Sequence, residues 1–180
     1  AQVYDAKRGP GNDIYYKGSL MLHSLRHLIG DQAFFESIRR LVYGRTDPRP
    51  GNFSSRYADT HDFIRIVDQV TGKPLDWFFQ VYLYQAALPK LDLQRHGDML
   101  TLAWHTGGNT PFPMPVELQI GQQFRQIDMS HGPVSLHVPA GELLIVDPHS
   151  VLLRDQPGIT RYQQWLRQQQ ARHAPIPKPW

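Results

Sequence analysis

The sequence predicts an α+β protein in two parts: a helical first half, then a small antiparallel β-sandwich and a C-terminal helix. Three observations carry this reading. Up to Leu88-Pro89 the apolar residues recur at three- and four-residue spacing, the period of amphipathic helices. Beyond that dipeptide they come in short runs separated by turn residues, with turns at the spacing of a small sandwich. After Asp155 the pattern turns helical again and then ends in Pro175, Pro177 and Pro179, an extended tail. The expected divisions are therefore 1–88 (helical), 89–155 (β-sandwich) and 156–180 (helix and tail).

From Tyr15 to Ile29, the residues Met21, Leu22, Leu25, Leu28 and Ile29 fall on one helical face. Gly30 ends that helix and Asp31 is placed to cap the next, which carries Phe34, Phe35, Ile38, Leu41 and Val42 inward. Pro48, Pro50 and Gly51 make the stretch from Gly44 to Arg56 a loop. Asp59 or Thr60 caps a third helix with Phe63, Ile66, Val67 and Val70, stopped at Gly72. Pro74 suits the first turn of a fourth, where its missing N–H costs little; that helix runs through Trp77, Phe78, Val81 and Tyr82 to about Ala87. The expected strands are Leu91–Arg95, Met99–Trp104, Met114–Ile120, Phe124–Met129, Val134–Val138 and Leu143–Val146. Val134, Leu136 and Val138 share one face, and Gly107-Gly108-Asn109 reads as a turn. Trp104, Trp165, Trp180, Phe112 and Phe124 are expected in the core or tail.

The chain has no cysteine, which excludes disulfides, thiolate metal sites and a cysteine nucleophile. No apolar run reaches the roughly 18–20 residues of a membrane span. Ala1 to Asn12 is polar, without the apolar stretch of a signal peptide, and the chain reads as beginning inside a larger protein, so its compartment stays open. A formal charge of +3 is small, and the basic residues Arg154, Arg161, Arg167, Arg172 and Lys178 suit a solvated helix rather than a nucleic-acid surface. No Gly-x-Ser-x-Gly elbow is present to support a hydrolase triad.

Two local features bear on chemistry. The first is Tyr15-Tyr16-Lys17-Gly18, followed by Leu22-His23-Ser24-Leu25-Arg26 and Ile29-Gly30-Asp31. The second is the pair His23 and His27, four apart on one helical face and able to share a metal. A zincin needs Glu directly after the first His as general base, and here that position is Ser24. Arg26 on the same face disfavours a cation.

The order of these segments resembles the aminopeptidase N family of zinc metallopeptidases, the gluzincins. Thr71-Gly72-Lys73-Pro74-Leu75, Trp77-Phe78-Phe79, Leu88-Pro89-Lys90-Leu91, the run Pro111 to Glu117 and Val146-Asp147-Pro148 extend the likeness over about residues 13–153. The resemblance implies the helical end of a catalytic domain followed by the family's β-sandwich, lacking the His-Glu-x-x-His segment. It places the family's catalytic tyrosine on Tyr15, with Tyr16 as competitor. In gluzincins the third ligand is a Glu nineteen residues after the second His; counted from His27 that position is Thr46, beside Asp47, so the pair His23 and His27 lacks this ligand too. Zinc is then expected in the intact parent, which releases N-terminal residues from peptides, and not in this chain. The expected partners are the peptide substrate, the missing N-terminal part of the same protein, and a second copy through an exposed helical face. The other reading is a non-enzymatic sandwich module that binds a protein or peptide.

Overall fold

The computed structural model describes residues 4–5, 9–10, 13–156 and scattered positions between 158 and 168. A two-residue ribbon, β1 (Tyr4–Asp5) with β2 (Gly9–Pro10), precedes the helices. The helices α1 (Asp13–Tyr43), α2 (Thr60–Thr71) and α3 (Asp76–Tyr84) follow, and the described positions between 158 and 168 are helical too. Six strands come after α3: β3 (Lys90–His96), β4 (Met99–His105), β5 (Val116–Ile120), β6 (Gln123–Ile127), β7 (Val134–His137) and β8 (Leu144–Val146).

The break expected at Gly30 is real: two helical segments of α1 meet there at a kink. Gly30 leaves helical geometry at φ 81° and ψ 161°, a conformation that glycine adopts without a Cβ penalty. The kink reorients the second half of α1. Phe34 is buried as expected, but Phe35 and Val42 are 43% and 52% exposed, a correction to the inward face assigned to them. Phe35 instead packs edge-on against Phe34 and carries the Arg26 guanidinium over its ring, 5.0 Å from the centroid.

Helix α2 begins at an Asp59 cap that forms a full capping box with Asp62, and ends at Gly72 in the left-handed conformation. It buries Phe63, Ile66 and Val67. Helix α3 is shorter than expected. Leu75 is its N-cap, so Pro74 stands before the helix rather than in its first turn, and the helix stops at Tyr84. Phe79, which the apolar spacing does not single out as core, is fully buried and meets Phe63 and Phe78 edge-on.

All six expected strands are present, with ends shifted by a few residues, and they form two antiparallel three-stranded sheets. Their orders are β3-β4-β7 and β6-β5-β8. The hairpin β3-β4 turns at Gly97 with Leu91 opposite Trp104, and β5-β6 turns at Gly121 with Leu118 opposite Arg125. Leu100 and Leu102 of one sheet and Val116 and Leu118 of the other join one hydrophobic cluster. That cluster also contains Met21, Leu25, Val67, Phe78 and Tyr82 from the helices, so both halves of the chain share a core. Val134, Leu136 and Val138 pack on it as the alternation predicted. Trp104 and Phe112 belong to its aromatic edge, 5.1 Å apart, whereas Phe124 is 53% exposed and stacks on His149. Trp165 is also half-exposed, and Trp180 lies outside the described residues.

After β8 the chain returns to the helices. Val151, Leu152 and Leu153 are buried, and Asp155 closes on the start of β3, its N–H donating to the Pro89 carbonyl at 2.8 Å. Of the helix and tail expected over 156–180, only isolated positions belong to the described residues, and 169–180 lie outside them.

Candidate functional site

Tyr15 and Tyr16 stand in the first turns of α1, 71% and 68% exposed, and both rings are open to a ligand. Successive helical residues are about 100° apart, so Tyr15 points roughly opposite to Lys17. The Lys17 ammonium donates to the Gln85 carbonyl at the end of α3, 2.8 Å away. Thus Lys17 ties the start of α1 to α3 and turns Tyr15 toward the other side. Gly18 has space around it: an added Cβ would meet nothing within 4 Å among the described residues.

Further along α1, Ser24 has a role that the motif alone does not reveal. It is fully buried. Its hydroxyl donates to the Val151 carbonyl at 2.7 Å, with the Leu20 carbonyl at 3.1 Å as a second acceptor, and accepts the Leu153 N–H at 3.0 Å. The Tyr82 hydroxyl of α3 donates to the carbonyl of the same Leu153 at 2.7 Å. Burial pushes the Tyr82 phenol well above the usual tyrosine range; the Ser24 hydrogen bond opposes this and the nearby Asp147 charge adds to it. Asp147, also buried, accepts the Val151 and Leu152 N–H groups at 2.8 and 3.1 Å. Two side chains from helices and one carboxylate from the sheet end therefore satisfy five of the six backbone polar groups of 151–153. This is the accounting that a buried, non-sheet segment requires. The signal for it in the sequence is Ser24 itself, a small polar residue amid the apolar face of α1. Against the zinc motif the same residue reads only as a missing general base.

Helix α1 is fixed at two places, by Lys17 on α3 and by Ser24 on the returning segment. The tyrosines lie just before the first.

The histidine pair is placed differently. His23 and His27 are both exposed. Arg26, expected to repel a cation between them, gives its charge to Asp31 in a two-pronged pair, both contacts at 2.8 Å. That pairing also takes up the carboxylate expected to cap the following helix. Asp47 is engaged by Arg45 at 2.9 Å in the loop after α1, and Arg45 holds the carboxylate below the usual aspartate range. Among the described residues no three His, Asp or Glu side chains converge as a metal site would need. The donor set that zinc requires does not assemble on these residues.

Clefts lie elsewhere. One of about 670 Å³ between α2 and α3 is lined by Ile64, Trp77, Phe79, Tyr84 and Pro111 with Asp68 and Asp76. Another opens near Trp104, Phe112, Met129 and Pro133. Tyr15, Tyr16, His23 and His27 line neither. No helix among the described residues is long and apolar enough to cross a membrane.

Comparison of the sequence with protein-family models and with curated proteins gives no match. Solved structures do match. The crystal structure of Legionella pneumophila aminopeptidase A in complex with aspartic acid superposes over 76% of this chain with a TM-score of 0.53 at 14% sequence identity. This chain spans 17% of that chain's length. At such identity the likeness is one of fold: the α+β arrangement of this chain is also found within an aminopeptidase.

Proposed function

We propose that this chain is the C-terminal part of a zinc-dependent aminopeptidase of the aminopeptidase N type. The observation that carries the reading is the fold likeness to aminopeptidase A over 76% of the chain, alongside a sequence resemblance that runs over about residues 13–153. In this reading 1–88 closes a catalytic domain and 89–155 is the sandwich after it. By the same reading the zinc ligands and general base belong to a segment outside this chain.

Tyr15 is the group this chain contributes. Its O–H donates a hydrogen bond to the oxygen of the scissile carbonyl as negative charge develops there, an interaction stronger in the transition state than in the ground state. Three features support Tyr15 in that role: its exposed ring, the fixed helix beneath it, and Lys17 turned to the opposite side. Exposed Tyr16, Leu20, Phe35 and Val42 on α1 supply the apolar surface that a preceding segment would cover, or that a second copy covers when this chain is alone.

The test is made on the full-length protein and on this chain. Tyr15→Phe in the full-length protein lowers kcat for an amino-acid arylamide by about 10²–10³, the effect of removing one oxyanion donor, with KM little changed. Tyr16→Phe leaves most of the activity. The purified chain, given zinc, releases no arylamine. Hydrolysis by the chain itself, or an unchanged kcat in Tyr15→Phe, overturns the reading.

A further inference from the structure

The loop after α1 and one side of α2 border an open pocket of about 450 Å³, where Arg40, Arg45, Thr46, Arg56, Arg65 and Gln69 stand around Gly44 and Ile66. These residues come from three places: the last turn of α1, the connecting loop, and α2. Among the described residues no acidic side chain lines the pocket. Three of the guanidinium groups have carboxylate partners outside it: Arg40 pairs with Glu36, Arg45 with Asp47 and Arg65 with Asp62. The fourth, Arg56, makes no close ion pair among the described residues, although its charge also acts on the Asp62 carboxylate that Arg65 holds. It donates one N–H to the Arg40 carbonyl at 3.1 Å.

That placement is built by the backbone. Gly44 turns at φ 70°, and a Cβ there would come within 3.2 Å of the Arg56 Nη1. Glycine thus lets an arginine from the loop settle against the end of α1. The result sets a fourth guanidinium beside three that have carboxylate partners, which leaves the pocket a small positive excess. Each guanidinium has five N–H donors. Arg56 uses one nitrogen on the protein and Arg65 one, on Asp62, while Thr46 and Gln69 add neutral donors at the rim. Guanidinium groups match the paired oxygens of phosphate and carboxylate, and bind both through charge-assisted hydrogen bonds.

We propose that this pocket is an anion site that takes a phosphate or carboxylate group, with Arg56, which makes no close ion pair among the described residues, as the cation that receives it. The site is remote in sequence from Tyr15 and does not depend on the peptidase reading.

The experiment titrates the purified chain with inorganic phosphate and, separately, citrate at constant ionic strength, following heat of binding and the arginine Nε–H NMR signals. Sodium chloride is the control. The expected result is saturable binding by one or both anions, the tighter one naming the group. Arg56→Gln weakens that binding about tenfold, one charge-assisted hydrogen bond lost, and Arg56→Lys by less. Arg65→Gln, on the exposed face of α2, serves as a second variant should Arg56→Gln fold poorly, and it too weakens binding. A response no larger than that to chloride overturns the proposal, as does unchanged affinity in the folded variants.

Discussion

Ser24→Ala removes one oxygen and should cost this protein a large share of its stability. The hydroxyl satisfies the Val151 carbonyl and the Leu153 N–H at 2.7 and 3.0 Å, in a site closed to water. Leaving a buried backbone group without a partner costs about 1–3 kcal/mol, so two such groups give roughly 2–4 kcal/mol. Domains of this kind are stable by about 5–15 kcal/mol, so the loss is large but leaves a folded protein to measure. Urea unfolding followed by tryptophan fluorescence should show the midpoint falling by about 1–2 M at a slope near 2 kcal/mol/M, with the slope unchanged. Tyr82→Phe orphans the Leu153 carbonyl and should cost about 1–3 kcal/mol. Because both side chains hold Leu153, the double variant should depart from additivity by at least about 0.5 kcal/mol. A Ser24→Ala loss below about 1 kcal/mol would refute the reasoning. It would mean that the 151–153 segment finds other partners and that α1 is held by apolar packing instead.

Two further outcomes concern the helices. Asp62 is held below its usual value of 3.8, first by the hydrogen bond from Arg65 and then by the Asp59 N–H. A carboxyl group depressed by folding stabilises the protein above its unfolded pKa, and that contribution disappears as pH falls through the folded value. An NMR titration should therefore put the Asp62 midpoint below 3.8, with the start of α2 loosening as it protonates; a midpoint at or above 3.8 would contradict the capping-box geometry. Gly18→Ala should raise the stability of this chain by about 0.5–1 kcal/mol, because alanine is the better helix former and its Cβ has free space. A loss on thermal unfolding would show that Gly18 is packed in solution.

Local order was legible in the residues. The kink at Gly30, a cap at Asp59 or Thr60, the stop at Gly72 and all six strands come from spacing, glycine and short polar side chains, since each is decided within a few residues along the chain. Tyr15 is exposed at the start of α1, but nothing in the spacing could tell which way Lys17 would turn it.

The tertiary structure decided the matters that depend on residues far apart in sequence. Phe35 and Val42 have the helical period of buried residues, yet the turn at Gly30 rotates the second half of α1 and leaves them half in water. Arg26 shares a helical face with His23 and His27, whereas its charge goes to Asp31 beyond the kink. Ser24 is a buried partner because a strand-end segment more than a hundred residues later passes over it. Four arginines meet in one pocket because α2 folds back beside the end of α1. Periodicity records which face of an element is apolar. It carries no information on what arrives against that face, and the hydrogen bonds and charges of this protein's sites are set by that arrival.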